Sequence, residues 1–308
     1  MAEPCTLTGA PGVKLISWRG RQARAGGLAI TGAFSMPEAP ELEVVKDYLN
    51  ERLVGREAVA ARVLRPSVLR SLQGDIAEDV VGRTFGIVGR RGKYLLLRMS
   101  GDRAVVVNPK LTGGLQFCAR KQRVYKRTCV VIELDDEIDL RYVDDRQMGM
   151  YYYVSESQLD DVPGLDDQGP DVLDDQDFDD FKERLRRFHG EIKGVLTRGR
   201  VISGIGNAYV DEILFAAKVY PFKKRKALSD DELHRILDCS RQVIVEATET
   251  VRERMDGVLD RKLRDFLKVH NKGGEPCPDC GNKISQLTAN KQITSYCRRC
   301  QPGMLILN

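Results

Sequence analysis

Apolar residues recur along this chain in two rhythms. Between residues 58 and 154 they form short β-branched or alternating runs, at 58–64, 84–88, 94–99, 104–107, 115–118, 128–134, 138–143 and 150–154, separated by Gly, Asp or Asn. Eight strands at that spacing predict a two-layer antiparallel sandwich, with one helix-like interruption at 66–73. On either side the rhythm lengthens to that of helices. One amphipathic run, Leu42 to Leu53, precedes the strands, and four segments come after them, at 181–189, 209–217, 230–250 and 262–270. Near the C-terminus the period shortens again, where alternating Ile293 and Ser295 suit a β-hairpin. The fold class is therefore α+β: an N-terminal antiparallel β-sandwich, then a helical domain, then a small terminal finger.

Charge sharpens these boundaries. Residues 155–181 hold eleven Asp/Glu and no Lys/Arg, which reads as an acidic linker or solvated face between a domain at 36–154 and a helical one at 182–270, with residues 271–308 last. The net +4 of the whole chain becomes +12 once those acids and the +3 of residues 1–35 are set aside, so a polyanionic partner is expected. No apolar run approaches the roughly 18 residues of a membrane span, and no membrane partner is expected. Residues 1–35 are Gly/Ala/Arg-rich and read as disordered. They are either an upstream start preceding the true one at Met36, or a basic transit-type leader cut before Pro37.

Four of the eight cysteines form one constellation. Cys277-Pro-Asp-Cys280 and Cys297-Arg-Arg-Cys300, sixteen residues apart, have zinc-ribbon spacing, so one Zn2+ on four thiolates is expected. A closed four-thiolate site leaves no position for water, which makes that metal structural. The remaining cysteines are scattered, and reduced thiols fit a cytoplasmic compartment.

The candidate chemistry lies at Met36-Pro37-Glu38-Ala39-Pro40-Glu41. With Met36 removed, Pro37 becomes a secondary amine beside an acid. An α-amino group (pKa about 7.7 to 8.0) is unprotonated roughly a sixth of the time at pH 7, far more often than a lysine, which suits attack on a sugar C1′. The plainer alternative is a helix start, where proline and acids are both favoured. Further on, Gly204-Ile205-Gly206-Asn207 describes a tight turn into a helix, whose outward amides could hold a phosphate or simply connect two helices.

In this order the Pro-Glu start, the sandwich, the Gly-Ile-Gly-Asn turn and the four-cysteine finger resemble the formamidopyrimidine-DNA glycosylase/endonuclease VIII family over nearly all of residues 36–301. The resemblance implies a helix-two-turn-helix domain and a base-excision enzyme acting as a monomer on damaged double-stranded DNA at the nucleoid. It implies Pro37 as Schiff-base nucleophile, Glu38 as general acid/base, and Lys93 as the turn lysine that assists elimination and contacts phosphate. Asn207 and Arg127 would hold backbone phosphates. Arg146 would pair with the base left behind by flipping, while Leu111 and Met148 fill the gap, unless these two are core residues. Where the family usually has a finger arginine this chain has Gln292 beside Lys291, which puts a clean δ-elimination in doubt. Oxidised purines such as 8-oxoguanine and formamidopyrimidines are the favoured lesions. The alternatives are an oxidised-pyrimidine glycosylase of the endonuclease VIII type, or a non-catalytic zinc-ribbon DNA-binding protein if the leader stays attached to Pro37.

Overall fold

The computed structural model describes residues 36–289 and 292–303; residues 1–35 and Lys291 lie outside the described residues. Helix α1 (Ala39–Arg52) opens with Pro40 in its first turn and buries Leu42, Val45 and Leu49. Strands β1 (Ala58–Val63) and β2 (Leu69–Ser71) and the short helix α2 (Ile76–Asp79) lead into β3 (Phe85–Arg91), β4 (Tyr94–Met99), β5 (Arg103–Asn108) and β6 (Gly113–Ala119). Then come β7 (Thr128–Leu134), β8 (Ile138–Asp144) and β9 (Met150–Val154). They form a four-stranded sheet, β1-β7-β8-β6, facing a five-stranded one, β2-β9-β5-β4-β3. The stretch expected to be helix-like at 66–73 is a single 3-10 turn followed by β2, which pairs parallel to β9 while the other strand pairs among the described residues are antiparallel. Pro66 starts the turn, but Tyr151–Tyr153 offer ladder partners that a second helical turn would forgo.

The sandwich core joins Val130, Ile132 and Leu140 of one sheet to Leu95, Leu97, Val105 and Val107 of the other, with Leu49 of α1 packed at its edge. Leu49 is fully buried, and truncation to alanine is expected to cost about 2–5 kcal/mol. The opposite face of the five-stranded sheet is not solvated. Tyr94, Leu96, Ala104 and Val106 pack there against Val162 and Leu165 from the acidic stretch. The reading of 155–181 as a linker or solvated face is corrected in one respect: ten of its eleven acids are exposed, but Val162 and Leu165 cover a sheet and Asp171 is drawn into an ion pair. The near-continuous apolar runs of β4 and β5 result from burial on both faces. Arg90 at the end of β3 pairs with Asp171 at 2.6 Å and Glu43 at 2.7 Å, tying the same stretch to α1.

The helical domain contains α3 (Phe178–Arg186), α4 (Ile192–Leu196), α5 (Asn207–Ala216) and α6 (Asp230–Arg254). The capping box of Ser229 and Glu232 starts α6. The helix expected at 262–270 is absent. The N–H groups of Lys268, Val269 and His270 instead donate to the buried carboxylate of Glu212, at 2.8, 2.9 and 2.8 Å. A carboxylate taking three amides competes successfully with the helix, while Leu263, Leu267 and Val269 are buried without it. The finger hairpin, β10 (Ser285–Ala289) with β11 (Gln292–Tyr296), is the last strand pair among the described residues.

Candidate active site

The Glu38 N–H donates to Glu41 at 3.0 Å, which starts α1, while the Glu38 carboxylate crosses to the helical domain. It accepts the amides of Gly206 at 2.6 Å, Ala208 at 3.0 Å and Tyr209 at 3.2 Å. These are unsatisfied donors at the positive end of α5, so the helix stabilises the carboxylate. The glycines make the approach possible. A Cβ on Gly206 would stand 2.4 Å from the Glu38 carboxyl carbon, and Gly204 (φ +93°) lies against Ala39, whose N–H donates to the Gly204 carbonyl at 2.9 Å. The expectation that this turn aims its amides at a phosphate is thereby corrected, because Glu38 takes them.

Arg264 completes the cluster. Its guanidinium lies 2.9 Å from Glu41 and 3.5 Å from Glu38, donates to the Met36 carbonyl at 3.1 Å, and sits over the Tyr209 ring at 4.6 Å. Burial raises the Glu41 carboxyl above its ordinary range, against the pull of Arg264. Pro37 lines a cavity of about 20 Å³ with Glu41, Pro109, Gly114, Asp260 and Lys262, room for one water. Lys93 projects from the β3–β4 turn, where Gly92 takes φ +58°. Its amine is depressed by burial and by the charges of Lys110 and Arg264, while Glu38 pulls it back. Among the described residues it forms no ion pair or hydrogen bond, so its charge is available to a ligand.

The four finger cysteines meet the requirement of a tetrahedral metal. Ligands about 2.3 Å from a tetrahedral zinc stand about 3.8 Å apart. Here Cys277 and Cys300 are 3.9 Å apart, Cys280 and Cys297 3.5 Å, and all four sulfurs lie within 4.8 Å of one another.

Family models match the chain in the same order: the formamidopyrimidine-DNA glycosylase N-terminal domain at 36–151, the formamidopyrimidine-DNA glycosylase H2TH domain at 168–256, and the zinc finger found in FPG and IleRS at 274–303. The formamidopyrimidine-DNA glycosylase of Pelotomaculum thermopropionicum is 34% identical over 273 residues, covering 86% of this chain and 99% of that protein. The chain belongs to the formamidopyrimidine-DNA glycosylase family. The enzyme of the same description from Symbiobacterium thermophilum is also 34% identical, over 87% of this chain and 90% of that protein. Among solved structures, Lactococcus lactis Fpg bound to DNA containing N7-benzyl-Fapy-dG superposes with a TM-score of 0.80 at 26% identity, over 87% of this chain and 100% of that one. The same Fpg bound to abasic-site DNA gives 0.79 at 26%, over 86% and 100%. The finger of this family member is built to hold one structural zinc on Cys277, Cys280, Cys297 and Cys300.

The remaining expected residues fall in two places. Leu111 is half-buried in the β5–β6 loop, its carbonyl accepting from Lys262 at 2.5 Å, and Met148 is 43% exposed after β8 beside exposed Arg146. Neither Leu111 nor Met148 belongs to the sandwich core. Arg127 is engaged by Asp260 at 2.7 Å. Asn207 donates to the Ile293 carbonyl of the finger at 3.0 Å, which uses one of its two amide hydrogens. Gln292 is exposed at the hairpin tip.

Sequence reasoning missed Arg264, Asp211, Glu212 and Lys193, and gave Glu41 no role beyond the helix start. Asp211 accepts from Lys193 at 2.7 Å and from the Ser295 N–H at 3.0 Å, and contacts His270 at 2.8 Å. Two adjacent acids in an otherwise apolar α5 were the available signal.

Proposed function

We propose that this protein is a bifunctional DNA glycosylase/AP lyase that removes oxidised bases from duplex DNA, with oxidised purines such as 8-oxoguanine and formamidopyrimidines as its preferred class. The observation that carries this reading is the clasp of Glu38 by the α5 amides, which holds Pro37 at a cavity between the sandwich and the helical domain. Lys93, unpaired and depressed, stands in the same field.

In this reading the Pro37 nitrogen attacks C1′ of the damaged nucleotide. The C1′–N bond to the base breaks, its electron pair leaving with the base, and an iminium forms as the sugar ring opens. Glu38 takes the proton that the attacking nitrogen loses and delivers it to the ring oxygen; loss of a C2′ proton to solvent then expels the 3′ phosphate with the C3′–O electron pair, and Lys93 neutralises that phosphate. Arg127, Asn207, Gln292 and Lys291 contact the backbone, and Leu111, Arg146 and Met148 occupy the gap left by the flipped base. The zinc, when bound, supplies shape to the finger and no reacting atom. The enzyme acts as a monomer in the cytoplasm, at the nucleoid.

The chemistry demands an unacylated Pro37 nitrogen, and in the described chain Met36 acylates it. Borohydride should therefore trap protein that begins at Pro37 on a lesion duplex, and trap the N-terminally extended form or Pro37→Gly poorly. Equal trapping by the extended form overturns the mechanism. The Met36 carbonyl, held by Arg264, favours one second reading, a DNA-binding protein without chemistry. Intact mass of the native protein separates the two, since a mature Pro37 terminus supports the enzyme. A panel of single-lesion duplexes tests lesion class, and the strand termini produced test whether Gln292 permits δ-elimination.

A further inference from the structure

Apart from Arg127 at its end, the β6–β7 loop plays no part in the site described above. Residues Arg120-Lys121-Gln122-Arg123-Val124-Tyr125-Lys126-Arg127 hold five cations and no acid, and 121–126 are exposed. Their backbone is nevertheless held from beneath. Arg141, 1% exposed and paired with fully buried Asp139 at 2.8 Å, donates to the carbonyls of Arg120 at 3.1 Å, Gln122 at 2.9 Å and Arg123 at 3.2 Å. Arg65 donates to the carbonyl of Lys126 at 3.2 Å. Burying an ion pair costs several kcal/mol per ion in desolvation before any return, so this brace is not a feature that a freely solvated loop requires.

The side chains divide into two sets. Arg120 is neutralised by Glu133, Glu137 and Asp139, and Arg127 by Asp260. Lys121, Arg123 and Lys126 have no ion pair among the described residues. Between them stand Val124 and Tyr125, 37% and 44% exposed, with the Arg123 guanidinium 5.9 Å over the Tyr125 ring. The loop ends beside the segment that carries Arg146. The Arg127 carbonyl accepts the Asp144 N–H at 2.8 Å, and the Asp144 carboxylate accepts the Arg146 N–H at 3.2 Å.

We propose that this loop is a second, sequence-independent contact for duplex DNA, in which Lys121, Arg123 and Lys126 grip the phosphates of the duplex arm flanking the lesion on the Arg146 side. The proposal rests on the reading of Arg146 as a residue at the flipped-out site. Charge complementarity, a pre-ordered backbone and continuity with that segment favour duplex DNA over any other polyanion. Tyr125 and Val124 lie against the sugar edge of the same arm.

The test is binding of the mature enzyme to a duplex carrying a non-cleavable abasic analogue, followed across salt concentration, for wild type and for K121Q/R123Q/K126Q. Thermal unfolding checks that these exposed substitutions leave the fold intact. Each lost phosphate contact should lower the slope of log K against log salt by about 0.9, so the triple variant should lose up to about 2.7. Extending the duplex on one side of the lesion should tighten wild-type binding and leave the variant indifferent. An unchanged slope with unchanged length dependence overturns the proposal. Borohydride trapping on a cleavable lesion is read separately. Failed trapping by wild type sinks the catalytic reading, while the salt slope still decides for or against the loop.

Discussion

Two lysines in two regions of the molecule are both depressed by burial and are put to opposite use. Lys193, on α4 at the junction with the finger, donates to Asp211 at 2.7 Å and to the Ile293 carbonyl at 2.6 Å. Lys93, on the β3–β4 turn, has no partner among the described residues and faces the like charges of Lys110 and Arg264. Burial depresses both amines, first and foremost, and Asp211 opposes it at Lys193 as Glu38 does at Lys93. A desolvated cation with partners is committed to architecture. One without them is held at a cost to stability and is available to an anionic substrate.

The strongest way to break that contrast is to remove what Lys193 holds. Chelation of the metal, or Cys280→Ser, should unravel the finger, because structural zinc sites contribute apparent energies on the order of 10 kcal/mol. Protease cleavage within 275–303 and loss of DNA binding are expected while the sandwich stays folded, and a protease-resistant metal-free finger contradicts the structural role. Next in size, Lys193→Met leaves the carboxylate of Asp211 buried without its cation and should cost about 3–5 kcal/mol in chemical denaturation. Lys93→Met should do the reverse, changing stability by less than about 1 kcal/mol while lowering strand cleavage about a hundredfold in single-turnover assays. A Lys93 variant that loses stability, or a Lys193 variant that loses only activity, erases the distinction.

A third lysine, at the cavity, extends the comparison to pH. Burial, aided by Arg264, lowers Lys262 to about 8 from 10.5. The unfolded chain therefore binds more protons between those values, so the penalty of burying the charged amine is present below pH 8 and is relieved as pH rises towards 10.5. The melting temperature of wild type relative to Lys262→Met should climb through that window. A flat difference shows that the amine is better solvated than its surroundings imply.

Local pattern carried much of the fold. The limits of β4, β7 and β9 coincide with their apolar runs, and the cysteine spacing specified a four-thiolate cluster before any geometry was available. The pattern failed where a distant side chain competed with the local backbone. Leu263 and Leu267 have helical spacing, yet Glu212, more than fifty residues earlier, takes the amides that a helix there would need. Arg264 lies 226 positions from the Glu38 carboxylate it meets, and no periodicity links them. Eleven of the 27 residues of the acidic stretch are charged, all with one sign, so the few apolar residues that cover the sheet were outnumbered in a count by composition.

What the chain determines by itself is whatever depends on neighbours in sequence: the alternation that makes strands, the glycines that permit a tight turn, the paired cysteines, and a proline next to an acid. Tertiary structure alone decides what each charged group meets. A carboxylate can be satisfied by its own helix, by a lysine, or by amides from another domain, and these choices look the same along the chain. Folding separates them because desolvation makes every buried charge depend on the partners that three-dimensional packing brings within about 3 Å.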